Sequence, residues 1–413
     1  MTRMQINLKD NIKYLVGSEE ILRSAPRTPV LETFSDRAIE FLASLSREIL
    51  ALPYIRAHVD VMSYAYWIRR ASLEKSKEEL KQKEYRLGRG VAFHIAPSNV
   101  PVNFAVSMTS SFLAGNISVI RVSNKDFEEV KIICGAMNTL LEKEENADMR
   151  PYFCIVRYDH SDEISAFLSS ICDVRIIWGG DRTIEQIRKY PLPPRAIEMC
   201  FSDRHSIAII DSEKYLKADP DEVAKKFYTD TYYSDQNACS SPRLIVWLGD
   251  STEAKERFWQ ALYREVKARY EIQPIQVINK FSILTEIAMK LPGSRVFHLE
   301  EDGQNNKLVV VDIPTLSLPD DETVMDYKMN SGYFYQYTVN SLDEIEPILN
   351  KSCQTLAVLG LDKEEVTEKV VRKGVRGVDR VVNIGDTMGL EFVWDGYRMI
   401  DTMSRVIYIY SQL

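Results

Sequence analysis

The chain has 413 residues, 45% hydrophobic and 27% charged, with a formal charge of −8. That length suits two domains with sizeable cores and excludes a fibrous or disordered chain; an acidic balance without a long basic stripe excludes nucleic acid as main partner. No run approaches the roughly 18 apolar residues of a membrane helix and the opening MTRMQINLKDNIKYLVGS lacks a signal-peptide centre, so the expected compartment is the cytoplasm.

Residues 1 to about 82 read as helical, because apolar positions in AIEFLASLSREILAL and VDVMSYAYWIRRASLEKSKEELKQKE recur every three or four residues. The mixed charges of KSKEELKQKE predict a solvated helix end. From Tyr85 to about Ile210 come short apolar strands, VAFHIAP, ISVIRV, YFCIVRY, VRIIWGG and SIAIID, with helical stretches such as FEEVKIICGAMNTLLEKEE between some of them. Strand, helix, strand repetition predicts a doubly wound α/β sheet that collects ligands at the carboxyl ends of its strands. The helix DPDEVAKKFYTDTYY then leads through the polar SDQNACSSP to the strand RLIVWL. A second α/β unit follows, with the helix ERFWQALYREVKARY and the strands KLVVVDI, YFYQYTV and TLAVLGL, so the domain boundary is expected near Tyr233. The alternating, aromatic-rich RVIYIYSQL is expected as a final strand. It pairs either outside its own domain, in a homodimer or larger even assembly, or as an internal edge strand.

The six cysteines, at 134, 154, 172, 200, 239 and 353, show no CxxC pair, which predicts free thiols, a reducing compartment and no metal site. Cys134 and Cys154 lie in apolar runs and read as small buried hydrophobes. Cys239 differs: Asp235-Gln236-Asn237-Ala238-Cys239-Ser240-Ser241-Pro242 is too polar for core and joins a helix to a strand, the setting in which a nucleophilic thiolate is displayed among donors. In Ala96-Pro97-Ser98-Asn99-Val100-Pro101 two prolines fix the backbone path, making either a structural turn or a placed amide at Asn99. Trp178-Gly179-Gly180-Asp181, between a strand and a helix, allows close backbone approach of an anion, without a full GxGxxG fingerprint.

In this order the segments resemble the aldehyde dehydrogenase superfamily. GVAFHIAPSNVPVNF, FLAGNISVIRVSN, IIWGGD, DQNACSSP and RGVDRVVNIGDTMGLEFVWDGYRMIDTMSRV are similar to its acyl-CoA reductase branch, more narrowly to the LuxC-like acyl-protein thioester reductases. The resemblance runs from about Gly88 to Tyr408 and is weak over the first 80 residues. It implies an aldehyde-dehydrogenase-like α/β fold with a helical N-terminal region and Rossmann-type cofactor domain over 1–233. An α/β catalytic domain follows over 234–385, with a C-terminal return and oligomerisation strand over 386–413. It makes Cys239 the nucleophile, Asn99 and the Cys239 backbone N–H the oxyanion donors, and Arg121, Ser123, Trp178, Gly179 and Gly180 the cofactor contacts. NADPH is expected over NADH, because Arg121 falls beside the adenosine ribose, where a guanidinium pairs bidentately with a 2′-phosphate. The competing role for Arg121 is an ion pair with Asp126 or Glu128. His205 is the nearest candidate for proton transfer, or else a hydrogen-bonded structural histidine.

Three departures from the hydrolytic dehydrogenases carry chemical meaning. The glutamine two residues before the cysteine is Asn237, with Gln236 one place earlier; the glutamate that holds the nicotinamide ribose falls near Lys328 or Asn330. The glutamate that activates water falls on Cys200, with Glu198 two residues earlier able to face the same side. A thioacyl enzyme without that base is spared hydrolysis, which favours reduction. The implied activity is NADPH-dependent reduction of an acyl-CoA or acyl-protein thioester to a fatty aldehyde, with an acyl-protein synthetase as partner. The alternatives are oxidation of an aldehyde to an acid, and a noncatalytic assembly subunit of the same fold.

Overall fold

The computed structural model describes residues 11–79, 84–298 and 306–410. They form two compact units, Met1–Ser202 with Leu390–Leu413, and Asp203–Gly389.

The first unit carries β1 (Lys13–Val16), β2 (Tyr85–Gly88), β3 (Val91–Ile95), β4 (Ile117–Arg121), β5 (Phe153–Arg157), β6 (Val174–Trp178) and β7 (Ile197–Phe201). Six of these make one sheet in the order β1-β5-β4-β3-β6-β7, parallel from β5 to β7, with β1 antiparallel on the edge. Every residue of β3 and β6 is buried, as a parallel sheet covered on both faces requires. Strand order reverses at β3, between β4 and β6, so their carboxyl ends flank the switch point where such sheets bind ligands.

The N-terminal region is helical over Asp36–Leu50, Val59–Trp67 and Arg70–Glu79. Ser35 starts the first of these by accepting the Ala38 amide at 3.2 Å, and its buried face stacks Phe41 on Phe153 of β5 at 5.0 Å. β1 departs from the helical expectation. Its four residues are too short for periodicity to separate strand from helix, and the free edge of β5 supplies its hydrogen bonds. Part of the charged helix end, residues 80–83, lies outside the described residues.

The second unit carries β8 (His205–Asp211), β9 (Pro242–Leu248), β10 (Arg295–Val296), β11 (Val309–Asp312), β12 (Tyr333–Val339), β13 (Cys353–Leu359) and β14 (Arg380–Asn383). They are ordered β10-β11-β12-β9-β8-β13-β14 and parallel except for β10. SIAIID therefore opens the second sheet instead of closing the first, and the division falls after Ser202, not near Tyr233. A strand apolar on both faces carries no mark of the sheet it joins; pairing with β9 and β13 decides it.

Back in the first unit, β15 (Val393–Trp394) and β16 (Tyr397–Arg398) form a short hairpin before β17 (Ser404–Ile407), which pairs antiparallel with β2 from Ser404↔Gly88 to Ile407↔Tyr85. The final strand thus finds a partner inside its own chain, while Val406, Ile407, Tyr408, Ile409 and Tyr410 stay exposed. The last three residues of RVIYIYSQL lie outside the described residues. Among the described residues no helix is long and apolar enough to cross a membrane.

Candidate functional site

In the second unit the helix Pro220–Asp230, capped by Asp219, ends in a short turn at Tyr232–Ser234. Asp235 and Gln236 then both take φ of 52°, a left-handed conformation that costs about 1 kcal/mol for each non-glycine residue. Side-chain bonds offset it. The Asp235 carboxylate accepts from Gln276 Nε2 at 2.6 Å, Ser331 Oγ at 3.1 Å and the Tyr270 hydroxyl. The buried Gln236 amide donates to the carbonyls of Pro242 (3.2 Å) and Tyr333 (3.4 Å) and accepts from the backbone N–H groups of Gly332 (2.7 Å) and Tyr333 (3.2 Å). Ser206 Oγ of β8 donates to the Cys239 carbonyl at 2.7 Å. The result is a half-buried Cys239 on a turn with a fixed backbone, flanked by the buried Ser240 and Ser241.

Arg243 of β9 lies beneath this turn. Its guanidinium donates to the Gln236 carbonyl at 2.6 Å, the Met329 carbonyl at 3.0 Å and Asn330 Oδ1, and Asn330 Nδ2 donates on to Asn237 Oδ1 at 2.7 Å. Lys280, equally buried, donates to the Ser331 carbonyl at 2.7 Å and to that of Asn306; burial pushes its pKa down to about 7, with Asp235 opposing. His205 opens β8. Burial, then the Lys328 charge, pushes its pKa down to about 4 against a hydrogen bond to Ile348, so the ring is neutral at pH 7.

The remaining expected residues meet in the first unit, at the carboxyl ends of β3, β4 and β6. Asn99 is exposed in the segment between β3 and the helix Asn103–Leu113. Arg121 ends β4 with its guanidinium 4.6 Å from the centre of the Tyr158 ring, while Asp126 and Glu128 both pair with Lys131, at 2.7 and 2.8 Å. Ser123 Oγ accepts the Lys125 amide at 3.2 Å. The Trp178 ring stacks flat on Phe201 at 3.6 Å, and its N–H donates to Ser107 Oγ at 2.9 Å. Gly179 packs so closely that a Cβ there would lie 3.1 Å from the Thr183 side chain, and Gly180 caps the helix Asp181–Arg188. Among the described residues no group of three or more His, Cys, Asp or Glu side chains is arranged to hold a metal ion.

The family model for acyl-CoA reductase (LuxC) matches residues 61–291. The chain belongs to this family. It is 24% identical over 320 residues to the long-chain acyl-protein thioester reductase 2 of Photobacterium leiognathi, covering 73% of this chain and 62% of that one. With the long-chain acyl-protein thioester reductase of Aliivibrio fischeri the identity is 24% over 306 residues, covering 72% and 58%. The chain thus spans about three fifths of the length of the curated relatives it matches. Its fold is that of the aldehyde dehydrogenases: the NAD-dependent aldehyde dehydrogenase of Sinorhizobium meliloti superposes with a TM-score of 0.64 at 12% identity, over 94% of this chain and 85% of that one.

Where the resemblance puts the water-activating glutamate, this LuxC-family chain has Cys200 with Glu198 two residues before it. Glu198 on β7 accepts from Arg175 at 2.5 Å and from Arg188 at 2.7 Å. Desolvation pushes its pKa up, but the Arg188 and Arg175 hydrogen bonds outweigh that and hold the carboxyl below its usual range. Cys200 bridges the same group, its thiol 3.4 Å from Glu198 Oε1. A carboxylate held by two guanidinium groups is a poor acceptor for a water proton.

Sequence reasoning missed Arg243, which reads as an ordinary strand residue, and Asp230. The buried Asp230 carboxylate accepts the backbone N–H groups of Gly385 (2.6 Å) and Thr387 (3.1 Å), pinning the segment after β14. Burial pushes its pKa up to about 6 despite those bonds. The folded state therefore holds the proton more tightly than the unfolded chain. Stability from this group is fullest below the unfolded value and is lost as pH rises through about 6. Between about pH 4.5 and 7.5 the loss should be about 2 kcal/mol. Urea unfolding of Asp230→Asn should show a fall over that interval smaller by about this amount; parallel pH profiles for the two proteins would remove Asp230 as the source.

Proposed function

We propose that this chain reduces a fatty acyl thioester, presented on coenzyme A or on a protein, to the free aldehyde through a thioacyl intermediate on Cys239, with NADPH as reductant. The observation that carries the reading is the half-exposed Cys239 on a turn locked by Gln236 and Ser206. The names of the Photobacterium and Aliivibrio relatives support a long-chain acyl-protein donor.

The Cys239 thiolate attacks the thioester carbonyl, and the tetrahedral oxyanion is held by the Cys239 backbone N–H and by Asn99, the latter on family resemblance. Collapse expels the donor thiolate, which takes a proton from water. A bound reduced nicotinamide dinucleotide supplies the hydride. The acyl carbon on Cys239 accepts it, and the thiohemiacetal alkoxide breaks its C–S bond to give the aldehyde and the free Cys239 thiolate. No step needs a side-chain acid, so we assign His205, neutral and bonded to Ile348, a structural role. The engagement of Glu198 with Arg175 and Arg188 speaks against the alternative, oxidation of an aldehyde to an acid.

The carboxyl edge of the first sheet fits a dinucleotide. Arg121, Ser123, Trp178, Gly179 and Gly180 converge there, and Arg121 rests on the Tyr158 ring and leaves Asp126 and Glu128 to Lys131, which favours a guanidinium able to meet a 2′-phosphate. Arg121→Ala should raise the apparent NADPH constant about tenfold or more, on the scale of a charged hydrogen bond of about 1.5 to 3 kcal/mol, and change NADH use much less. Equal losses with both cofactors, or a wild-type preference for NADH, would sink this assignment. Free thiols support a cytoplasmic setting. The exposed Val406–Tyr410 segment supports a homodimer or tetramer, and the acyl-protein relatives support an acyl-protein synthetase as partner.

The deciding experiment incubates the protein with labelled acyl-CoA of graded chain length, with and without NADPH, and follows covalent label and aldehyde together. Label that chases to aldehyde on adding NADPH supports reduction. Label that chases to acid, or never forms, supports the oxidase or the noncatalytic subunit.

A further inference from the structure

Arg243 is 5% exposed, yet among the described residues its hydrogen-bond partners are all neutral: two carbonyls and the side-chain oxygen of Asn330. Its Nε is buried and has no hydrogen-bond partner. A guanidinium taken out of water without a carboxylate against it is an incomplete arrangement, because buried charges are normally met by opposite charge as well as by dipoles. Two acidic groups, Cys239 and Asp235, lie within electrostatic reach of it. Burial pushes the Arg243 pKa down to about 10, and the opposing influences are Cys239 first and Asp235 second. Asp235 is already occupied by Tyr270, Gln276 and Ser331. Asp235 keeps its charge among those neutral donors, so ionisation of Cys239 would add a second negative charge within reach of the buried guanidinium.

We propose that Arg243 is the positioning residue of the nucleophile: a fixed buried counter-charge that keeps Cys239 as the thiolate and, through Gln236 and Asn330, fixes the turn on which it sits. This rests on reading Cys239 as the nucleophile. The chain of contacts is direct. One Nη group holds the Gln236 carbonyl, three residues before Cys239; the other holds Asn330, whose amide holds the Asn237 side chain, two residues before it. The other charged and titratable groups around the turn set a mostly positive background: Lys328 and Arg243 both act on the neutral His205, with Asp326 opposing, while Lys280 lies opposite Asp235. Arginine suits the role because it stays charged where a buried lysine gives up its proton, as the low pKa of nearby Lys280 illustrates.

The test is the rate of iodoacetamide alkylation at the Cys239 peptide, followed by mass spectrometry against pH on the full chain. The wild-type midpoint is expected below the ordinary thiol value of about 8.5. Arg243→Gln, which keeps donors and removes charge, should raise it by about one pH unit or more; Arg243→Lys should restore only part of the difference, since a lysine buried there gives up its proton over the same pH range. Asn330→Asp, which sets a carboxylate against Arg243 without removing it, should also raise the midpoint. A wild-type midpoint at or above about 8.5, or a folded Arg243→Gln protein with the wild-type midpoint, overturns the proposal. If Arg243→Gln fails to fold, an unchanged midpoint in Asn330→Asp overturns it instead. A midpoint that follows Arg243 while no acyl label reaches Cys239 would leave the counter-charge standing and remove the reductase reading.

Discussion

Cys239→Ala is expected to abolish both acyl labelling and aldehyde formation while leaving the fold intact. The substitution removes a sulfur from a half-exposed side chain, and the turn is held by backbone and neighbouring groups: the Cys239 carbonyl on Ser206 and the Gln236 amide on Gly332, Tyr333 and Pro242. The stability change should therefore stay below about 1 kcal/mol. The other half-buried thiol, Cys200, is no substitute, because burial, then Glu198, pushes its pKa up to about 11. Peptide mapping after incubation with labelled acyl-CoA gives the check. Acyl label on Cys200 or on any other cysteine, or aldehyde formed by Cys239→Ala, would falsify the assignment.

Asn99→Ala should slow acyl transfer by roughly 10²- to 10³-fold, the usual loss when one of two oxyanion donors is removed. The residue is exposed between two prolines that hold the backbone path, so stability should change by no more than about 0.5 kcal/mol. Loss of an oxyanion donor acts on the transition state, so the single-turnover acylation rate should fall with little change in donor binding. Asn99→Asp should be no better, since a carboxylate faces the developing negative charge. A rate within threefold of wild type in Asn99→Ala would place the second donor on another group.

Much of the second unit was legible because each apolar run is long enough to be a strand and the one polar interruption, SDQNACSSP, stood out against them. The grouping of Asn99, Arg121 and Gly179 was legible for a related reason: each follows an apolar run, and the carboxyl ends of β3, β4 and β6 bring such positions together. Sheet membership was not. β8 is buried on both faces, so its sequence looks the same in either sheet. The short β1 hid within a helical region for want of length. Arg243 was invisible because a strand arginine reads the same whether it meets a carboxylate or, as its hydrogen bonds among the described residues do, only neutral oxygens. For Glu198, its position was legible but its chemistry was not, because Arg175 and Arg188 come to it from β6 and the next helix.

The turn that carries Cys239 is laced to three adjacent strands: to β8 through Ser206, to β9 through Arg243 and the Pro242 carbonyl, and to the start of β12 through Gly332 and Tyr333. Opening it requires parting the middle of a parallel sheet, so its amide protons should exchange as slowly as those of the core even though it is irregular in outline. Under the proposed function, a segment so held leaves little freedom to retune substrate preference by reshaping the surroundings of the sulfur. Variation in the proposed acyl preference is then expected in more loosely attached parts of the chain.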